Sequence, residues 1–165
     1  MISLDILGQL NTTEEKLIEQ LDKDVREIFS TMVGTDLSSS HVTATATKFK
    51  DSVSAMVGFA GSYNGIMSIT TPKTLAMTLT SEMLGMEVTE FDNDVRDALG
   101  EIANMIGGSF KHHFVEGGKE VRLSTPSVIS GEEYEMTVGV QDTLTLMFAY
   151  GAEHFTVCVN LESGE

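Results

Sequence analysis

The residues with the clearest chemical potential in this sequence are Glu101 and Asn104, a carboxylate and a carboxamide three positions apart. On a helix, residues at this spacing are neighbours, with about 5–6 Å between their Cβ atoms. An amide cannot act as a general base, but it can accept one hydrogen bond from water and donate others. A stiff helix could therefore use Asn104 to position water for in-line attack, while Glu101 pairs with a cationic group.

The same pattern is also compatible with an ordinary solvated helix face, and Glu90 and Asn93 repeat the spacing. The pair has no metal, nucleophile or strong base of its own. It would therefore make a poor autonomous enzyme, and it makes sense where it completes a site that already holds a metal and a labile phosphoryl group. Context favours the pair at Glu101 and Asn104, which lies in the middle of a predicted helix.

The sequence lacks the motifs on which other common catalytic and metal-binding sites depend. The sequence contains no phosphate-binding Gly-x-x-x-x-Gly-Lys-[Ser/Thr] loop and no Cys/His spacing for structural zinc. His112 and His113 are adjacent and would project about 100° apart on a helix, which makes them a poor chelating pair. A metal-dependent hydrolase built around His112 and a carboxylate stays open as an alternative without a supporting motif.

The helix that must hold the pair is predicted from about Asp92 or Asp94 to Glu116, closed by Gly117 and Gly118. Its apolar residues follow the three-or-four spacing of one helical face: Val95, Leu99, Ile102, Ile106 and Phe110. The opposite face carries Asp97, Glu101, Asn104 and Gly108. Gly100 and Gly108 each cost on the order of 1 kcal/mol relative to Ala in a helix, and they would let a partner surface approach closely.

Length and charge bound the function. A chain of 165 residues is expected to form one domain, residues 1–165. The net charge of −15 argues against nucleic acid or an anionic membrane as a partner and suits a partner with a basic patch. Cys158 is the only cysteine, so no internal disulfide can form. The sequence shows no signal-like segment and no apolar run long enough to span a bilayer, and we expect a cytoplasmic protein.

The surrounding elements predict an α+β fold, a largely antiparallel sheet with three helices packed on it. One helix is capped by Thr12 or Thr13 and stops at Gly34. Another begins with Thr71 as cap and Pro72 as first helical residue, and it ends at Gly85. Strands are predicted at 41–47, 53–59, 65–71, 120–123, 127–129, 134–140, 144–150 and 154–161, with a hairpin turn at 61–65.

A weak internal repeat relates two of the helices. Glu27-Ile-Phe-Ser-Thr-Met-Val-Gly resembles Glu101-Ile-Ala-Asn-Met-Ile-Gly-Gly, and a run of strands follows both. Ser30 takes the position of Asn104. If the halves are related, only the second carries the complete carboxylate and carboxamide pair.

Several motifs together resemble one protein family. They are Gly58-Phe-Ala-Gly-Ser-Tyr-Asn-Gly-Ile-Met, Met83-Leu-Gly-Met-Glu-Val, Asp97-Ala-Leu-Gly-Glu-Ile-Ala-Asn-Met-Ile-Gly-Gly and Thr125-Pro126-Ser127-Val128. The chain resembles the CheC/CheX/FliY family of chemotaxis phosphatases over nearly its whole length, and the CheX branch most closely. The resemblance implies a pseudo-repeated fold, a homodimer and, because Ser30 replaces the carboxamide, a single site.

The resemblance also implies an activity, the removal of phosphate from the phospho-aspartate of a CheY-like response regulator. Asn104 would orient the attacking water, and Glu101 would contact the regulator's lysine. The chain would bind no metal itself, because the regulator supplies Mg²⁺. Asp97 is assigned to the partner surface with Gly100 and Gly108, without a catalytic role. The alternative is a non-catalytic module that binds a response regulator or a flagellar switch component.

Overall fold

The computed structural model describes residues 2–37, 40–115, 119–137 and 143–164. It shows the predicted α+β architecture, with one large antiparallel sheet and its helices. The helices are α1 (Leu4–Gln9), α2 (Glu14–Ile28), α3 (Lys73–Leu84) and α4 (Asn93–Lys111). The strands are β1 (Ser40–Val42), β2 (Lys48–Gly61), β3 (Tyr63–Pro72), β4 (Val121–Leu123), β5 (Ser127–Glu135), β6 (Thr143–Tyr150) and β7 (Glu153–Ser163).

The described residues form four α-helices where three were predicted. The additional helix, α1, has only six residues, too few for a helical period to be visible in the sequence. The Ser3 side chain caps it by accepting a hydrogen bond from the Ile6 amide, and Ile6 and Leu7 are buried. Burial of two apolar side chains compensates for a helix that would be too short to persist alone.

The first long helix begins and ends where its sequence predicts. Thr13 caps α2 by accepting a hydrogen bond from the Lys16 amide at 3.2 Å, and Gly34 stops it with φ +81°. Between them, the α-helix gives way at Phe29 to a single π-helical turn, Phe29–Val33. This change in winding begins two residues after Glu27 and includes Ser30.

The sheet is antiparallel throughout, in the order β1-β6-β7-β3-β2-β4, with β5 paired to β2 beside β4. Alternate strand residues point at the helices and fill the core, among them Val53, Ala55 and Val57 of β2. The predicted hairpin of β2 and β3 is confirmed and turns at Ser62. In the described part of the chain, no helix is both long and apolar enough to cross a bilayer.

Some predicted boundaries are wrong. The strand predicted at 41–47 ends at Val42. The predicted strands 127–129 and 134–140 are joined in one strand, β5, which runs through Gly131 because β2 pairs with it in one register from Lys48 to Met56, with a break at Asp51. The helix predicted to run to Glu116 ends at Lys111 and is followed by a short 3-10 helix, His112–Phe114. Residues 116–118 and 138–140 lie outside the described residues. Thr71 does not cap α3. Pro72 ends β3 and occupies the cap position, and the Thr71 hydroxyl donates to the Pro72 carbonyl.

Candidate functional site

The helix α4 is fixed at its N-terminus by Asp92. The Asp92 carboxylate accepts hydrogen bonds from the amides of Asp94 at 3.0 Å and Val95 at 3.4 Å, which satisfies two of the four free amides of a helix start. The Arg96 guanidinium stacks over the Phe91 ring at 4.8 Å. These contacts set the start of the helix at Asn93, inside the predicted range.

The inward face of α4 is the predicted apolar stripe. Its five members are all completely buried: Val95, Leu99, Ile102, Ile106 and Phe110. The helix lies between α2 and α3 and rests mainly on β2. Since every turn of α4 is packed on one side, the opposite side is held as a rigid outer surface.

The outward face carries the candidate residues together. Asp97 and Glu101 are exposed, while Asn104 and Gly108 are half-buried. The side chains of Glu101 and Asn104 form no hydrogen bond or ion pair with another residue in the ranges 2–37, 40–115, 119–137 and 143–164. The arrangement therefore presents a carboxylate and a carboxamide side by side on a helix, with their polar atoms available to a partner or to water.

The two flanking glycines have different surroundings. A Cβ at Gly108 would meet no atom of the described residues within 4 Å beyond the helix's own backbone, so the outer surface is open there in that part of the chain. Gly100 is buried, and a Cβ on it would lie 3.5 Å from Cβ of Pro126 and 3.7 Å from Cγ2 of Val128. Gly100 thus has a packing role within the chain, against the start of β5. Its part in partner binding stays a prediction.

A loop that the sequence did not assign to the site lies next to it. Residues 124–126 join β4 to β5 and are exposed. The Ser124 amide donates to the Gly58 carbonyl at 2.9 Å, and the Gly58 amide donates to Ser124 Oγ at 2.8 Å. These two bonds anchor the loop to β2 and place Pro126 against the Gly100 turn of α4. The Pro126 motif was visible in the sequence, but its proximity to α4 depends on strand pairing between distant segments.

The two histidines separate as predicted. His112 is exposed at the end of α4, whereas His113 Nε2 lies 3.0 Å from Asp24 Oδ2, in a contact that links the end of α4 to α2. Among the residues the structure describes, no three His, Cys, Asp or Glu side chains come close enough to hold a metal ion. Neither histidine is therefore part of a metal-binding cluster in that part of the chain.

The candidate residues lie on the outer face of a helix. A cavity of about 260 Å³ lies on the far side of the sheet from α4, and hydroxyl side chains line much of it, including Ser68, Thr70 and Thr145. These residues alternate with the ones that face the helices. The cavity and the candidate residues therefore lie on opposite sides of the sheet.

Known proteins are similar to this chain in sequence and fold. A family model described as "Chemotaxis phosphatase CheX" matches residues 53–148, more than half of the chain. The CheY-P phosphatase CheX of Thermotoga maritima is 27% identical over 115 residues, which are 68% of this chain and 74% of that protein.

Solved structures agree with the family model. The chemotaxis protein CheX from Desulfovibrio desulfuricans has 30% identity and a TM-score of 0.76, covering 89% of this chain and 99% of its own. CheX in the CheX–CheY–BeF₃–Mg²⁺ complex from Borrelia burgdorferi has the same fold, with 20% identity and a TM-score of 0.76 over 89% of this chain and 98% of its own. With the fold, the helix and its motif in place, this chain belongs to the chemotaxis phosphatase CheX family.

Proposed function

We propose that this protein removes the phosphoryl group from the phospho-aspartate of a CheY-like response regulator. The observation that carries the proposal is Asn104, whose carboxamide stands on the outer face of a rigid helix with no partner among the described residues. The relative from T. maritima is named a CheY-P phosphatase. The CheX of B. burgdorferi forms a complex with CheY, BeF₃ and Mg²⁺.

In the proposed reaction, α4 docks over the phosphorylated aspartate. The Asn104 carboxamide accepts a hydrogen bond from a water molecule and thereby aligns the oxygen of that water with the phosphorus. A P–O bond forms to the water, the bond between phosphorus and the aspartyl oxygen breaks, and the aspartate leaves as a carboxylate with inorganic phosphate as the other product. Phosphoryl transfer needs mainly positioning and charge stabilisation, so one well-held amide is a sufficient contribution from this chain.

The regulator supplies the remaining chemistry of the site. Its Mg²⁺ neutralises charge on the phosphoryl oxygens, and its lysine pairs with Glu101 to hold α4 in register. Glu101 is exposed and has no ion-pair partner in the described ranges, so it can form this contact without first breaking another. The acidic character of the chain, with a net charge of −15, favours approach to a basic patch around that lysine.

The proposal includes a homodimer, formed through sheet edges. The strand β1 lies at one edge, and β4 and β5 lie at the other. An edge strand carries unpaired backbone groups that a second copy can satisfy. Light scattering coupled to gel filtration should give twice the 17.9 kDa mass of one chain, and a single-chain mass would reject the dimer.

The central experiment follows phosphate release from a phosphorylated CheY-like regulator, alone and with this protein. The wild-type protein should accelerate release, and Asn104→Ala should not. Ser30→Ala is the matched control, because Ser30 holds the position equivalent to Asn104 in the weak internal repeat, and the variant should leave the rate unchanged. A stable complex without acceleration would reject the enzyme and support a binding module. Equal rates for wild type and Asn104→Ala would reject the role of Asn104.

A further inference from the structure

We propose that Gly100 and Pro126 together form an apolar seat that sets the orientation of the Asn104 side chain, so that both act as positioning residues. This inference rests on the proposed function, since it concerns how the carboxamide is held ready for water. It adds a second structural element, the loop 124–126, to a site otherwise built on one helix. Neither residue contributes a polar side-chain group to the reaction.

The first support is the direction of the side chains. Gly100 and Asn104 are four residues apart on α4, so they lie one above the other on the same side of the helix. Helical side chains lean toward the N-terminus, and each one covers the turn before its own Cα. The Asn104 side chain is therefore expected to extend over the turn at Gly100, which has no side chain of its own.

The second support is the position of Pro126 at that same turn. A Cβ on Gly100 would lie 3.5 Å from Pro126 Cβ and 3.9 Å from its Cγ, so the ring packs directly on the glycine. A side chain at residue 104 that leans onto this turn approaches the Pro126 ring. Asn104 is half-buried, whereas Glu101 on the same outer surface is exposed, as the proposed seat requires.

The third support is the rigidity of the loop. The Ser124 side chain accepts a hydrogen bond from the Gly58 amide and donates another to the Thr125 carbonyl at 3.0 Å. Immediately after Pro126, β5 begins to pair with β2 at Ser127 and Met56. Pro126 is thus fixed on both sides by hydrogen bonds to β2, and its ring also fixes its own φ near −65°.

The chemistry explains why an apolar seat suits this position. A polar neighbour would hold the carboxamide by bonding to it and would occupy the acceptor or donors that water needs. Proline has no amide hydrogen, and glycine has no side chain, so the seat restricts rotation without competing for hydrogen bonds. Asn104 can then be ordered before the partner arrives and still be fully available to the attacking water.

The test separates orientation from binding. Pro126→Ala removes ring atoms from the apolar seat. Gly100→Ala adds a methyl group to the turn beneath Asn104, at an ordinary contact distance from Pro126. Each variant should lower kcat for regulator dephosphorylation by roughly 3- to 10-fold, since small misplacements of a positioned group cost up to about 100-fold. For Pro126→Ala, KM and the affinity for the beryllofluoride-activated regulator should stay within about 2-fold of wild type.

Three further measurements exclude a purely structural effect. Thr125→Ala, in the same exposed loop, is the matched control and should keep the wild-type kcat. Pro126→Val, which restores apolar bulk, should recover most of the lost rate. NMR couplings of Asn104 should show one dominant side-chain rotamer in wild type and averaging in Pro126→Ala. The melting temperature of Gly100→Ala should equal or exceed that of wild type, because alanine favours the helix.

The outcomes are distinct. If wild type accelerates hydrolysis and Asn104→Ala does not, but Pro126→Ala and Gly100→Ala match wild type in kcat, the seat is rejected and the proposed function stands. A loss of rate that follows weaker regulator binding alone also rejects the seat. If wild type shows no acceleration, the proposed function fails, and averaged Asn104 couplings in wild type would reject the seat independently of activity.

Discussion

A Cβ on Gly107 would lie 2.7 Å from Cγ2 of Val57, closer than real side-chain carbons approach. It would also lie 3.2 Å from Cδ1 of Leu123. The helix α4 therefore reaches its position on β2 because residue 107 has no side chain. The glycine sets the distance between the helix and the sheet one turn after Asn104.

Gly107→Ala should destabilise the protein because the added methyl group forces Val57 or the helix to move. Overpacking of this kind costs about 1–3 kcal/mol, partly offset by the roughly 1 kcal/mol helix preference of alanine. Urea unfolding should show a lower midpoint at an unchanged slope. A midpoint equal to that of wild type would show that the core absorbs the methyl group without cost.

Gly108→Ala should have the opposite effect on stability. Outside the helix's own backbone, no atom of the residues that the structure describes lies within 4 Å of a Cβ at this position, so the variant should gain about 0.5–1 kcal/mol from helix propensity alone. The same methyl group enlarges the outer face beside Asn104. We expect weaker binding to the regulator from a more stable protein, measured by calorimetry and urea unfolding together. Unchanged affinity would remove Gly108 from the partner surface.

Glu101→Gln tests the predicted contact with the regulator's lysine. Glutamine keeps the shape of the side chain and removes its charge, so the regulator should bind more weakly and with less dependence on salt. The loss expected for an exposed pair is about 0.2–1 kcal/mol, rising where docking removes water from it. Affinity measured at two salt concentrations checks this. Equal affinity and an equal salt effect in both proteins would remove the charge pair.

Ser30→Asn should not create a second active site, although the internal sequence repeat aligns Ser30 with Asn104. The helix α2 is followed by the π-helical turn Phe29–Val33, which contains Ser30. The Thr31 hydroxyl donates a hydrogen bond to the Glu27 carbonyl at 2.9 Å. The wider turn changes the angle between Glu27 and residue 30 relative to an α-helix. Ser30→Asn combined with Asn104→Ala should therefore stay inactive in phosphate release. Recovered activity would show that the second helix can substitute.

Tyr134 should make the stability of the protein depend on alkaline pH. Burial raises the pKa of its phenol above the ordinary value of 10.0, and the hydrogen bond with Ser54 lowers it by a smaller amount. With a higher pKa in the folded state, the stabilisation is complete below pH 10 and is lost as pH rises through the folded-state pKa. The unfolding free energy of wild type should therefore fall more steeply than that of Tyr134→Phe from about pH 9 to about pH 11. Parallel curves would contradict this.

The sequence predicted best where the evidence is local and periodic. The apolar stripe from Val95 to Phe110 determines which face of α4 is buried, so the outward placement of Glu101 and Asn104 followed from residue spacing alone. The cap at Thr13 and the stop at Gly34 were read from single residues with strong conformational preferences.

The errors concern contacts between distant segments. The continuity of β5 through Gly131 depends on pairing with β2, about 80 residues earlier in the chain, as in Ser54 with Ile129. The packing role of Gly100 was hidden for the same reason, because Pro126 reaches it only through that pairing. The short helix α1 lacks a detectable period, and it forms because its apolar residues are buried by the rest of the fold.

The placement of Asn104 on the outer face of α4 has a consequence for inhibition. Drug-sized molecules usually bind in a concavity that buries most of their surface, and Asn104 does not line the cavity on the far side of the sheet. An effective antagonist should instead imitate the other protein, presenting a cationic group to Glu101 and a phosphate-like group to Asn104, or should imitate α4 and compete for the regulator. Under the proposed function, the dephosphorylated regulator leaves by dissociation from this outer face, so the dissociation rate sets an upper limit on turnover.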